Sequence, residues 1–228
     1  MLKTVLATFL ISQAATAATM SDILNLPAPN RTKILQKGSN KHYSQAKSIA
    51  FSAEQPMGMR WKALTAMADI KGIDATGDIL EASKRKEWFM RNAALLALNE
   101  VNPFESKTLA LKLLKDPALV VRSASVNVLS RQMDNESRDR LWQELEAEYN
   151  YSKGQSLWIR SQILETLAKN PKSNEMALFA KALQDKDERM HEPAIRGLES
   201  ITKAGIVKDK MDRKKAVSMW QEYLTKTN

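Results

Sequence analysis

"DPALVVRSASVNVL", residues 116–129, decides the architecture, because it sets Arg122 among small and aliphatic side chains that otherwise read as a buried helix. The arginine recurs. "MRWKALTAM" (59–67), "MRNAALLAL" (90–98), "VRSASVNVL" (121–129), "IRSQILETL" (159–167) and "MHEPAIRGL" (190–198) align without a gap on Arg60, Arg91, Arg122, Arg160 and His191, spaced 31, 31, 38 and 31 residues apart. Self-similarity at a period of this length is the mark of a repeat architecture.

Each repeat carries apolar residues at helical spacing around its anchor. Met59, Met90, Val121, Ile159 and Met190 precede it; Leu64, Leu95, Val126, Leu164 and Ile195 stand four residues on; Met67, Leu98, Leu129, Leu167 and Leu198 stand seven on. These positions share one helical face, and the anchor lies inside the arc. A weaker helix precedes each anchor, with Ile49, Leu80, Leu111, Tyr149 and Ala180 eleven residues upstream. Turn signals at Asp116-Pro117, Asn102-Pro103 and Asn170-Pro171 separate the helices.

Every unit is therefore expected to be a helical hairpin. One hairpin cannot bury its apolar face alone, so the expected fold is all-α, an α-solenoid of about five stacked helical hairpins. The repeats are expected over 42–205, an N-terminal cap over 18–41 and a C-terminal capping helix over 206–228, with Ala216, Val217, Trp220 and Leu224 on one side.

A charge inside an apolar arc must be paired or must reach outward. Glu54, Asp116 and Asp185 stand six residues before their anchors and Glu87 slightly nearer, so acid and base in successive layers are expected to form a ladder. On these residues the chain resembles the HEAT repeat family: "LLKDPALVVRSASVNVLSR" and "ALQDKDERMHEPAIRGLESI" look like its pattern of Asp, then Val-Arg, then Ala and Leu. The short period is similar to that of the phycobilisome-lyase variety, and the resemblance covers about 46–203. It departs where His191 replaces the arginine beside Pro193, and where Arg85 and Gly154 replace the Asp. The resemblance implies that the anchor arginines are structural.

The chain opens with MLKTVLATFLISQAATA: a lysine at position 3, an apolar run over 5–11, and Ala15-Thr16-Ala17. That is the pattern of a secretory signal peptide over 1–17. The run is too short for a bilayer, which needs about 20 residues, and no cysteine follows it to take a lipid anchor. The mature chain is expected to be periplasmic or secreted and monomeric. Without cysteine it relies on packing and has neither a thiolate metal site nor a cysteine nucleophile.

Nothing in the sequence assembles a catalytic or metal constellation. The two histidines, His42 and His191, stand far apart, and Ser-x-x-Lys at Ser44/Lys47, Ser83/Lys86 and Ser200/Lys203 lacks the companion motifs of an activated serine. No cofactor is expected, and the chain reads as a non-enzyme. The resemblance implies two rival activities, bilin handling and DNA binding, and export argues against both. The net charge of +9 is dispersed, with runs only at Lys84-Arg85-Lys86 and Arg213-Lys214-Lys215, while Glu144, Glu146 and Glu148 read as a solvated acidic stripe. That balance leaves a weak attraction to anionic envelope surfaces as one alternative and handling of a small ligand as another.

Another protein is the expected partner, on the face of the second helices opposite the apolar arc. The column five after the anchor holds Thr65, Leu96, Asn127, Glu165 and Arg196; the column one after holds Trp61 and Asn92. The second candidate is the stretch "RLWQELEAEYNYSKGQSLW", where the period gains seven residues. Its Trp142 and Tyr151 either flank a binding loop, or a longer first helix takes Trp142, Leu145 and Tyr149 into the core and leaves Tyr151 in a loop. Trp88 and Trp158, each just before an anchor, are expected to wedge between layers.

Overall fold

A computed structural model describes residues 19–208 and 211–227, and the leader expected at 1–17 lies outside the described residues. The chain divides after Leu109 into two compact units. The first holds α1 (Met20–Asn25), α2 (Ala28–Leu35), α3 (Asn40–Phe51), α4 (Met57–Lys71), α5 (Thr76–Ala82) and α6 (Trp88–Val101), with a 3-10 turn at Gly72–Ala75. Thr19 opens α1 as one half of a capping box: its hydroxyl accepts from the Asp22 N–H at 3.2 Å and the Asp22 carboxylate accepts from the Thr19 N–H at 3.0 Å. Within this unit α3 pairs with α4 and α5 with α6, while α4 and α6 lie side by side and α1 and α2 pack on α4.

The helix α7 (Pro103–Leu113) runs across the division. The second unit continues with α8 (Leu119–Arg131), α9 (Asn135–Leu145), β1 (Tyr151–Ser152), β2 (Gln155–Ser156), α10 (Ile159–Ala168), α11 (Met176–Ala182), α12 (His191–Thr202) and α13 (Arg213–Thr227). Three-residue 3-10 turns precede β1, α11 and α12. Here α9 pairs with α10 and α11 with α12; α8 and α12 flank α10, and α13 covers α12. Among the described residues the regular structure is helical apart from one two-stranded antiparallel hairpin. No helix of the described residues is long and apolar enough to cross a membrane.

The three apolar columns lie almost wholly in the interior: Leu64, Met67, Met90, Leu95, Leu98, Val121, Val126, Leu129, Ile159, Leu164, Leu167, Met190, Ile195 and Leu198 are all buried. Each fully buried Leu or Ile contributes about 2 kcal/mol from apolar area removed from water. Where α11 meets α12 the approach is closer than a side chain permits, because a Cβ built on Gly197 would come within 2.5 Å of the Phe179 ring.

The anchors are structural in a way the acid ladder captures in part. Arg60 and Arg160 each aim Nε at the carbonyl end of the preceding first helix, Ala50 O at 3.1 Å and Leu145 O at 2.7 Å. Each then reaches a carboxylate of the next hairpin: Arg60 pairs with Glu87 at 2.7 Å and Arg160 with Asp185 at 2.6 Å. Arg122 departs from this scheme. Its Nη1 donates to Asp116 O at 2.7 Å and its Nη2 to Tyr149 O at 3.1 Å, so carbonyls stand where a carboxylate was expected. The same carbonyl six residues before the anchor is taken by Arg91 at 3.0 Å and by the Nε2–H of His191 at 2.9 Å. His191 thereby keeps the turn contact with a shorter side chain.

Four expectations are corrected. The seven extra residues do not lengthen a first helix: α9 stops at Leu145, and the added length forms a 3-10 turn and the β1–β2 hairpin, whose tight turn holds Lys153 at φ 50° and Gly154 at φ 75°. Tyr149 therefore leaves the first-helix column and stands exposed on that turn. Glu144 is no part of a solvated stripe, since it is buried against Arg140 at 2.8 Å and accepts from the Tyr149 hydroxyl. Trp88 and Trp158 are 41% and 45% exposed rather than wedged between layers, because both stand at or before the first residue of their helices, outside the arc that faces the core.

Candidate binding surfaces

In the first unit the face of α4 and α6 presents Leu96, which is exposed, and Trp61 and Thr65, which are half-buried. The Thr65 hydroxyl is turned back onto its own helix, donating to Lys62 O at 2.9 Å. Asn92 is not on this surface: it is 7% exposed, because α6 is buried nearly all round, from Phe89 and Met90 through Ala93–Leu95 to Leu98. A position one residue past the anchor is therefore covered in this hairpin.

In the second unit the corresponding face of α8, α10 and α12 is polar and paired with itself. Gln162 donates to Asn127 Oδ1 at 2.9 Å and to Ser123 O at 3.2 Å. Arg196 bridges Glu165 at 3.1 Å and Glu192 at 3.4 Å. These pairs are exposed, so they are worth little in stability. They do leave the predicted residues Asn127, Glu165 and Arg196 with partners of their own.

The hairpin builds something more concave. It walls a cleft of about 720 Å³ whose lining includes Trp142, Tyr151, Leu178, Met190, Arg160 and Asp187, so both aromatic residues singled out in the long repeat meet there. Trp142 is held from two sides: its Nε1–H donates to Glu175 Oε1 at 2.8 Å, and its ring meets Phe179 edge-on at 5.0 Å between centroids. Tyr151 lies under the Arg160 guanidinium at 4.5 Å, and that guanidinium is also bonded to Ser156 Oγ at 3.0 Å and to Asp185. Arg189 closes the hairpin onto the next turn, donating to Ser156 O at 2.9 Å while pairing with Asp187 at 2.9 Å.

The electrostatics of this wall are settled internally. Burial pushes the Asp187 carboxyl up, but hydrogen bonds from Arg189 and Ser156 overcome it and hold the group down at about 2. Asp185 is lowered in the same sense: burial opposes, while the hydrogen bonds from Arg160 and the Asp187 N–H prevail. Burial raises the Tyr151 phenol. Asp185 and Asp187 are thus held as carboxylates beside Arg160 and Arg189, with Lys181 and Glu146 paired across the rim at 3.3 Å and Lys186 exposed to solvent.

His42 serves a helix terminus, its Nδ1 accepting from the Ser39 N–H at 3.1 Å at the start of α3. Sequence reasoning missed Leu178 and Met190 as cleft lining and missed the Arg138–Glu175 pair beneath Trp142. The available signal for the latter was Arg138 and Trp142 at i, i+4 on one helix, which places both on the same face. No protein-family model matches the chain, and no curated protein shows significant similarity to it.

Proposed function

We propose that the chain is an exported, non-catalytic scaffold, adaptor or inhibitor, a HEAT-like α-solenoid that binds a segment of another protein. The five stretches that align on the anchors and the side-by-side second helices within each unit support the solenoid reading. The observation that carries the binding role is the cleft beside the hairpin, where Trp142, Tyr151, Leu178 and Met190 supply apolar contact and Lys181, Glu146 and Lys186 supply a charged rim. Aromatic anchors inside a polar rim are the usual anatomy of a protein-binding hot spot.

A small ligand is the second reading, favoured by the volume of about 720 Å³, which lies within the range of about 300–1,000 Å³ for small-molecule sites. Against it, Arg160 and Arg189 already hold Asp185 and Asp187, so few uncommitted groups remain to orient a compact polar molecule.

The test is a displayed peptide library panned on the whole chain, followed by titration calorimetry with the selected peptides. Leu178→Arg and Lys181→Glu, both exposed, are expected to weaken binding at least about tenfold at an unchanged thermal midpoint, and Leu96→Arg is expected to leave it intact. Peptides that bind the two cleft variants as they bind the parent chain would sink the cleft reading. Loss on Leu96→Arg would move the site to the face of α4 and α6.

A further inference from the structure

In the cleft beside the hairpin every lining carboxylate already has a cation. Glu146 pairs with Lys181 at 3.3 Å, Asp185 with Arg160 at 2.6 Å and Asp187 with Arg189 at 2.9 Å. One charge of the lining is left over, the exposed ammonium of Lys186, which makes no ion pair among the described residues. The neutral groups lean the same way. The Tyr151 hydroxyl and the Gln155 and Gln184 amides line the cleft without a side-chain hydrogen bond among the described residues, and each can donate one. Burial raises the Tyr151 phenol, so it keeps its proton at neutral pH and remains a donor. The cleft therefore leaves open a set of donors and one cation, and no carboxylate.

Lys186 is carried on a fixed backbone. Its neighbours in sequence are the two tied carboxylates, and Asp185 Oδ1 also accepts from the Asp187 N–H at 2.8 Å. Arg189 then fastens this turn to the facing hairpin by donating to Ser156 O at 2.9 Å. An incoming acceptor meets a wall that is already ordered, which reduces the entropy lost on binding.

The cleft also has a continuation. A second hollow of about 540 Å³ shares Lys181 and Gln184 with it and is lined by Met176, Ala177 and Ala180 of α11 and by Leu224 of α13. A small carboxylate would fill one hollow. An extended chain can occupy both, crossing the C-terminal end of α11 with apolar side chains on either side of the crossing.

We propose that the segment bound in the cleft is an acidic, apolar peptide in extended form, its apolar side chains against Trp142, Leu178 and Met190 and its carboxylate at Lys186 and Gln184. This rests on the cleft reading of the function and adds the chemistry of the partner.

The measurement is titration calorimetry on the whole chain with peptides selected from the display library, which are expected to share an Asp or Glu close to an aromatic or aliphatic residue. Each is compared with a form whose acid is replaced by its amide and with one that carries Lys there. The amide form should bind about fivefold more weakly, the size of one exposed charge pair. Lys186→Glu should weaken the acidic peptide about tenfold, because repulsion replaces attraction, and should make the lysine form the better ligand. Its thermal midpoint should not move, since Lys186 is exposed. Ala177→Arg, in the second hollow, should weaken the same peptide. An amide form that binds as tightly as the acid, while Leu178→Arg still weakens both, overturns the acidic partner and leaves the cleft in place. Binding that ignores Leu178→Arg removes the cleft and this inference together. Displacement of the peptide by millimolar glutarate, with no effect of Ala177→Arg, overturns the peptide in favour of a small carboxylate.

Discussion

Arg138 and Glu175 form an ion pair with both side chains almost wholly buried, 3% and 6% exposed. Arg138 also donates to Leu167 O at 2.8 Å, and Glu175 also accepts from the Lys172 N–H at 2.7 Å and from Trp142. Burial pushes the Glu175 carboxyl up; the bonds from Arg138, Lys172 and Trp142 more than reverse that and hold it below its ordinary value. Removing one partner strands the other charge, so Arg138→Met is expected to lower stability by about 3–5 kcal/mol. Adding Glu175→Leu should recover much of the loss. Urea unfolding of Arg138→Met, Glu175→Leu and the double variant checks this, and a double variant as unstable as the sum of its singles would show that the charges act independently. This pair was invisible in the sequence. Its members are 37 residues apart, and Glu175 ends a short 3-10 turn without a periodic pattern. The anchors were legible because each recurs in register. Their partners were legible in part: acid and base of successive hairpins pair as expected at Arg60–Glu87 and Arg160–Asp185, whereas the carbonyls that Arg122 takes leave no mark in the sequence.

At the scale of elements, the second helices were located from the sequence because a buried arc imposes a strict period on it. First helices left a weaker trace: α5 and α11 are seven residues each, completed by 3-10 turns, and too short for an arc to declare itself. The hairpin β1–β2 carried only a length signal, seven surplus residues ending in Lys153-Gly154, and the choice between a longer helix and a loop could not be made without the tertiary fold. At Gly197 α11 approaches α12 too closely for a side chain. Gly197→Ala forces a methyl onto the Phe179 ring and should cost about 1–3 kcal/mol by overpacking. Gly58→Ala, at an open position of α4, should be neutral or stabilising by up to about 1 kcal/mol through helix propensity. Thermal melting of the two variants separates the close approach from any general intolerance of glycine replacement, and an unchanged midpoint for Gly197→Ala would mean that α11 can shift away.

For the whole molecule, the pairing of carboxylates sets the response to acid. Glu175, Asp185, Asp187, Asp78 and Glu87 are all held below their ordinary values by hydrogen bonds and charge partners, Asp187 at about 2. A group whose folded value is depressed binds its proton more readily once unfolded. Its stabilisation is therefore complete above the unfolded value, about 4, and is lost as pH falls from there through the folded value. Asp69 runs the other way: burial raises it further than Thr32 and Arg31 lower it, so it gains on acidification what the others lose. With the lowered carboxylates outnumbering the raised one, the thermal midpoint should hold steady from neutral pH down to about 5 and then fall steeply between about 4 and 2. Net positive charge adds self-repulsion in the same range. Salt separates the two causes. Added chloride screens repulsion among exposed charges but cannot restore a carboxylate that has taken up a proton. A fall that persists at high salt and shrinks in an Asp185→Asn, Asp187→Asn variant assigns the acid lability to the wall of the cleft. A fall abolished by salt would assign it to net charge alone and would make the paired carboxylates bystanders.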